Sequence, residues 1–139
     1  MPTQRDLTEY TAANTVPEGC KAFNIGWLGP EIEFTKGETS DTFREGLQEL
    51  CVNHSCNRMR GYQACRLGHT RENFEYPVTV RLDSKNFPLG NGEIRVASQG
   101  RRLLIAPNLV LHYVTEHNYL PPQEFIEAVV SFMGNDSDR

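Results

Sequence analysis

The fold is decided by residues 90–117, which read GNGEIRVASQGRRLLIAPNLVLHYVTEH. Apolar and polar residues alternate over 93–97, and a second apolar run follows at 103–105 after a Gln-Gly break. Two such runs joined by a glycine-containing turn predict a β-hairpin. Pro107 then favours the first turn of a helix, which we expect to continue to about Glu116. This stretch therefore predicts a hairpin followed directly by a helix.

The sequence on either side supplies further elements of both kinds. Periodicity and turn signals predict strands over 21–28 and 78–82, a helix over 41–52, an irregular loop over 53–73 and a last helix over 122–134. Thr42 and Glu45 suit a capping box at the start of the first helix, and Gly134 suits the end of the last. The pattern predicts an α+β fold, with a small antiparallel sheet and about three helices packed on one face.

The length and composition favour one soluble domain. The chain has 139 residues, of which 38% are hydrophobic, so residues 1–139 are expected to form a single globular domain with a frayed tail at about 135–139. No apolar run is long enough to span a bilayer, and the polar start does not resemble a signal peptide, so we expect a cytoplasmic protein without membrane contacts. The net charge of −4 argues against a nucleic-acid partner.

Several pieces of the chain match a known pattern. They are GWL at 26–28, Arg60-Gly61, GEIRV at 92–96 and APNLVLHYVTEHNYLPPQEFIEAV at 106–129. These pieces resemble a family of small bacterial proteins of unknown function. The resemblance implies a kinship and does not supply a reaction.

The loop after Arg60-Gly61 differs from that family. The family's loop carries a His and a paired Cys-x-x-Cys, and this chain has Gln63, Cys65 and Gly68 at the corresponding places. Residues 70–90 correspond to an insertion. One of the three family positions is therefore retained.

Four cysteines raise the question of a metal site. Zinc takes four sulfur or nitrogen ligands, and the spacings Cys51-x-x-His54-x-Cys56 and Cys65-x-x-x-His69 offer such donors. The alternative is that the thiols are buried and pack as small hydrophobes. We expect no cofactor, with zinc held by Cys51, Cys56, Cys65 and His69 as the alternative.

The sequence contains none of the common catalytic motifs that we considered. The chain has no Walker loop, no Gly-x-Ser-x-Gly and no His-Glu-x-x-His. His112 and Glu116 would share a helix face, whereas the ring of His117 should diverge from that of His112 and cap the helix end. Cys65 with a distant histidine is a formal nucleophile and base. We therefore do not expect an enzyme.

The leading functional hypothesis is a protein-binding module. We expect an immunity-type inhibitor that neutralises a cognate bacterial toxin or enzyme by blocking its active surface, because an acidic protein can be steered onto a basic enzyme. The candidate partner-binding residues are Glu31, Glu33, Glu38, Asp41, Glu45 and Glu49. The alternative interpretation of these residues is a solvated helix face, and the alternative function is a small structural zinc-binding domain.

Overall fold

The computed structural model describes residues 3–11, 16–68 and 74–137, with side chains through residue 134. Its elements are β1 (Lys21–Asn24), α1 (Asp41–Asn53), β2 (Thr79–Leu82), β3 (Lys85–Pro88), β4 (Glu93–Ala97), β5 (Arg102–Pro107), α2 (Val110–Glu116) and α3 (Gln123–Ser137). A short 3-10 turn, Gln99–Arg101, joins β4 to β5. The α+β fold with a small sheet is confirmed.

The main sheet has the strand order β1-β5-β4. Strands β4 and β5 form the predicted antiparallel hairpin, with Val96 opposite Leu104. Strand β1 pairs with β5 in parallel, with Phe23 also opposite Leu104. The sheet is therefore mixed, with one parallel and one antiparallel pair. Parallel neighbours need a long crossover connection, and the chain between β1 and β5 supplies one.

A second, two-stranded sheet lies within the predicted insertion. Strand β2 confirms the alternation seen near residue 80, and its partner β3 was not predicted. The two residues of the connecting turn, Asp83 and Ser84, have φ values of 50° and 67°. Left-handed backbone at both central positions belongs to the hairpin turns that match strand twist. The KNFP sequence of β3 has a single large apolar residue, so periodicity gave no signal there.

Two helix starts differ from the prediction. The N-cap of α1 is Ser40, whose hydroxyl accepts a hydrogen bond from the Phe43 backbone N–H at 3.1 Å, so the capping box at Thr42 is wrong. Helix α2 begins at Val110 and not at Pro107, because Pro107 is the last residue of β5. Helix α2 therefore begins three residues after the last residue of β5.

The three helices pack around a common core. The rings of Phe43 on α1 and Phe125 on α3 meet edge to face with centroids 6.0 Å apart. A Cβ atom at Gly46 would lie 2.6 Å from Met133 Cγ, so this glycine allows the close approach of α1 to α3. Helix α3 continues through Gly134, so the predicted stop there is wrong. Within the described ranges, no helix combines the length and apolar character needed to cross a membrane.

Candidate metal centre

Three side chains that the sequence separates converge at one point. The Nε2 atom of His117 lies 3.3 Å from Cys65 Sγ and 3.2 Å from the Nε2 atom of His112. All three donor atoms lie within 4.8 Å of one another. Cys65 is buried, whereas the two histidines are half-buried. The arrangement joins a loop to the C-terminal end of α2.

The end of α2 explains why the two histidine rings meet. His117 is the C-cap residue, with φ −117° and ψ 9°, and its backbone N–H donates to Tyr113 O. The backbone has already left the helix at this residue, so the ring does not follow the helical angle. The ring centroids of His112 and His117 are 5.0 Å apart, and the prediction that they diverge is wrong. The backbone N–H of His117 caps the helix, whereas its ring, predicted to meet the last carbonyls, lies against Cys65 and His112.

The loop that carries Cys65 is held by backbone contacts. The N–H of Gln63 donates to the carbonyl of Gly90 at 2.8 Å, and the N–H of Gly90 donates to Asn108 Oδ1 at 2.6 Å. Gly90 has a φ of 105°, and a Cβ atom there would lie 2.6 Å from Gln63 O. Only glycine fits this close left-handed contact. Asn108 is 2% exposed and precedes α2, so it fixes the loop relative to the helix that carries His112.

The geometry around His117 is poorly matched to ordinary hydrogen bonding. A neutral imidazole nitrogen has either one proton or one lone pair in the ring plane. The Nε2 atom of His117 nevertheless has two close neighbours, Cys65 Sγ and His112 Nε2. One proton or one lone pair cannot make a full hydrogen bond to both. Sulfur and imidazole nitrogen are also the atoms with which proteins bind zinc.

Two kinds of chemistry use a cysteine beside a histidine. One is nucleophilic attack, which needs a thiolate and therefore a lowered thiol pKa. Burial raises the pKa of the Cys65 thiol, and the backbone hydrogen bond at Leu67 offsets this only in part. The other is metal coordination, in which the cation itself displaces the thiol proton. The surroundings of Cys65 suit a ligand better than a nucleophile.

A cleft of about 440 Å³ opens beside the two histidines. Leu67 from the Cys65 loop, Glu75 and Thr79 from the start of the β2–β3 hairpin, and Glu116 from α2 line it. The predicted sharing of a face by His112 and Glu116 is therefore seen as a common cleft wall. Glu75 Oε1 accepts hydrogen bonds from the backbone N–H and the hydroxyl of Thr79, at 2.5 and 3.3 Å.

The structure separates the other predicted metal ligands from this group. Among the described residues, neither Cys51 nor Cys56 belongs to a cluster that could hold a metal. Cys51 is 2% exposed on the apolar side of α1, where burial raises its pKa to about 12. The backbone of Cys56 pairs with Glu93. His69 lies outside the described residues.

The predicted acidic contacts divide into two groups. Three of them bind partners within the protein: Glu31 with Arg66, Asp41 with Arg44, and Glu49 with His54. The other three are exposed and make no ion pair with any residue that the structure describes; they are Glu33, Glu38 and Glu45. The predicted surface is therefore only partly available to a partner.

One sequence signal pointed to the histidine pair. The helix was expected to end at about Glu116, so the ideal helical angle did not apply to His117, one residue later. The contact of His117 with Cys65 had no such signal, because it depends on how the loop anchored at Gly90 returns to α2.

Comparison with known proteins places the chain in a family. No curated protein and no solved structure matches it. One family model matches residues 2–130, which is most of the chain, and it is described as a domain of unknown function, DUF7919. The expected kinship with an uncharacterised family is confirmed, and the chain belongs to the DUF7919 family.

Proposed function

We propose that this protein is a zinc-binding domain whose metal is held by Cys65, His112 and His117. One observation carries the proposal: the Nε2 atom of His117 lies close to both Cys65 Sγ and His112 Nε2, at 3.3 and 3.2 Å. Two of these residues lie in the HYVTEH segment that resembles the small bacterial family. The four cysteines are free, which fits the proposed cytoplasmic location.

The spacing of the donor atoms fits tetrahedral zinc. With Zn–N distances of about 2.0–2.1 Å and Zn–S of about 2.3 Å, tetrahedral ligands lie roughly 3.3–3.6 Å apart. The His112–His117 contact, at 3.2 Å, is within about 0.1 Å of that range, and the His117–Cys65 contact, at 3.3 Å, is about 0.2 Å shorter than the roughly 3.5 Å of a nitrogen–sulfur pair. Imidazole and thiolate ligands also favour zinc over magnesium or calcium, which prefer oxygen.

Bound zinc would join two parts of the chain that are distant in sequence. Cys65 belongs to an irregular loop, whereas His112 lies in a helix of seven residues and His117 is its C-cap. A metal that binds the folded arrangement and not the unfolded chain adds its binding free energy to folding. We therefore propose that zinc stabilises this loop against α2.

The test is the zinc content of the purified chain, measured by native mass spectrometry and by elemental analysis. We expect about one zinc per chain in the wild type. Cys65→Ala, His112→Ala and His117→Ala should each lower the affinity by more than the roughly 10–100-fold loss typical of a residue outside the ligand set. Circular dichroism checks that each variant remains folded.

Matched variants separate a specific site from general thiol or imidazole binding. Cys56→Ala removes a half-buried cysteine, and His54→Ala removes an exposed histidine that contacts Glu49. Both should keep the full zinc content. A folded wild type that takes up no zinc, or a zinc content that falls with Cys56 and not with Cys65, would refute the proposed site.

A second proposal is an inhibitor of a basic protein, of the immunity type. It is supported by Glu33, Glu38 and Glu45, which are exposed carboxylates without an ion-pair partner among the described residues. Charges of this kind at the rim of an interface act mainly on the association rate. They could steer the protein onto a positively charged toxin.

The inhibitor proposal is tested by charge reversal. Protein that copurifies from the native host would be identified, and the association rate measured at two salt concentrations. Glu38→Lys with Glu45→Lys should slow association, whereas Asp41→Asn, which alters a carboxylate already bound to Arg44, should change it less. An unchanged rate in the double variant would show that this surface does not meet the partner.

A further inference from the structure

The proposed zinc ligands number three, and zinc takes four. In zinc sites with three protein ligands the fourth position is held by water or by substrate, whereas structural sites are closed by a fourth protein ligand. Among the described residues, the group that could hold a metal contains Cys65, His112 and His117 and no other. Which group occupies the fourth coordination position therefore depends on what borders these three donor atoms.

A cleft lies next to them. The cavity of about 440 Å³ is lined by both histidines, so a metal held between their Nε2 atoms would border it. This volume is within the range of small-molecule sites, roughly 300–1,000 Å³. Glu75 and Thr79 at the start of the β2–β3 hairpin also line the cavity. The hairpin therefore forms part of the wall of this pocket.

The charges around the cleft restrict what it would accept. Glu75 and Glu116 line it, and among the described lining residues there is no lysine or arginine. Glu116 lies outside the group of donor atoms within 4.8 Å, so its charge is not used as a ligand. A divalent ion with one thiolate has a local charge of +1. The two carboxylates repel an approaching anion and lower the affinity of the metal for it, whereas they do not repel a neutral molecule.

We propose that the cleft admits a small uncharged nitrogen- or oxygen-donor molecule to the fourth coordination position of the metal. This inference rests on the proposed zinc site and specifies its ligand. Glu75 and Glu116 determine the preference by their charge and do not bind the metal. In this proposal the metal binds a small molecule as well as stabilising the fold.

The test uses cobalt(II) in place of zinc, because its visible absorption reports the coordination sphere. Imidazole serves as the neutral probe and azide as the anionic one. Imidazole should change the spectrum saturably, with one molecule per cobalt. Azide should bind more weakly, and Glu75→Gln and Glu116→Gln should each raise its affinity roughly threefold, the effect of one charge about 6 Å away in a water-like dielectric.

The control variant is Glu127→Gln, which changes an exposed carboxylate on α3 that lines a different cleft. It should leave both affinities unchanged, and no glutamine variant should alter imidazole binding. Equal azide affinity in all variants would overturn the proposed ligand class.

Failure of the open position would have its own signature. A cobalt protein whose spectrum responds to neither probe has a fourth ligand from the protein. If His69→Ala then creates a response to imidazole, that ligand is His69, and the open position is refuted while the metal site stands. A protein that takes up neither cobalt nor zinc refutes the metal site itself.

Discussion

Two polar clusters in the interior balance their charges in different ways. The first surrounds Glu93, whose side chain is 5% exposed. Its carboxylate accepts hydrogen bonds from Tyr10 at 3.0 Å and Arg95 at 3.2 Å, and also from Asn57. The cation and the hydrogen-bond donors that this buried charge needs are all side chains of the same chain.

The second cluster, Cys65 with His112 and His117, is built from metal-ligand atoms. The Nε2 atom of His117 lies 3.3 Å from Cys65 Sγ and 3.2 Å from His112 Nε2, so one nitrogen is close to both other donor atoms. The comparison shows that polar groups can be brought together for two different reasons. The Glu93 carboxylate accepts its hydrogen bonds from three side chains of the same chain, so its contribution to stability depends on those residues. In our proposal a cation completes the Cys65 cluster, so the contribution of this cluster to stability would depend on metal concentration.

The largest effect is expected from Glu93→Ala. The substitution removes the carboxylate with which the guanidinium of Arg95, 17% exposed, forms an ion pair at 3.2 Å. Breaking a buried ion pair from one side costs about 3–5 kcal/mol. The free energy of unfolding, measured in urea with a chelator present, should fall by this amount.

A more exposed pair provides the control. Arg102 and Glu124 form an ion pair at 2.7 Å whose side chains are 34% and 28% exposed. Glu124→Ala should cost no more than about 1 kcal/mol, because solvent replaces much of the lost interaction. Equal losses in the two variants would mean that the burial of Glu93 does not set its contribution.

Zinc should act on the second cluster alone. With free zinc at 100 times its dissociation constant, the free energy of unfolding of the wild type should rise by about 2.7 kcal/mol. Urea unfolding in chelator-buffered zinc measures the increment. Cys65→Ala should show no increment, whereas Glu93→Ala should keep it, because effects at separate sites add. Loss of the zinc increment in Glu93→Ala would show that the two clusters are coupled.

The sequence predicted those elements whose signal is local. The β4–β5 hairpin follows from alternation and from the break at Gly100, and α1 follows from an apolar stripe. Strand β3 was missed because its residues do not alternate. The parallel pairing of β1 with β5 was missed because residues 21–24 and 102–105 are about 80 positions apart and nothing local marks a distant partner.

The candidate site was predictable only in part. Spacing predicts Cys65 as a ligand together with Cys51, Cys56 and His69. Among the described residues the structure brings Cys65 to His112 and His117, and Cys51 and Cys56 do not join this group. Cys51 lies on the core side of α1 because its helix needs an apolar residue there. The true convergence depends on the anchoring of the Cys65 loop through Gly90 and Asn108, which is a tertiary contact.

The smallest effect is expected from a charge pair at the surface, in which one partner, Arg66, directly follows Cys65. The guanidinium of Arg66 donates to Glu31 at 2.5 and 3.1 Å, and this hydrogen bonding is the main reason that the pKa of Glu31 falls from 4.5 to about 2. A carboxyl group with a lowered pKa in the folded protein stabilises it fully above pH 4.5. That stabilisation is lost as the pH falls from 4.5 toward 2.

Glu31→Gln should therefore flatten the dependence of unfolding on pH between 4.5 and 2, and the difference from wild type should shrink at high salt. Glu33→Gln is the matched control, since Glu33 is exposed and has no ion-pair partner among the described residues. Acid titrations of the unfolding midpoint measure both. An unchanged slope in Glu31→Gln would contradict the assignment. Because solvent balances the charges of this pair, its loss should disturb neither the zinc increment nor the Glu93 cluster.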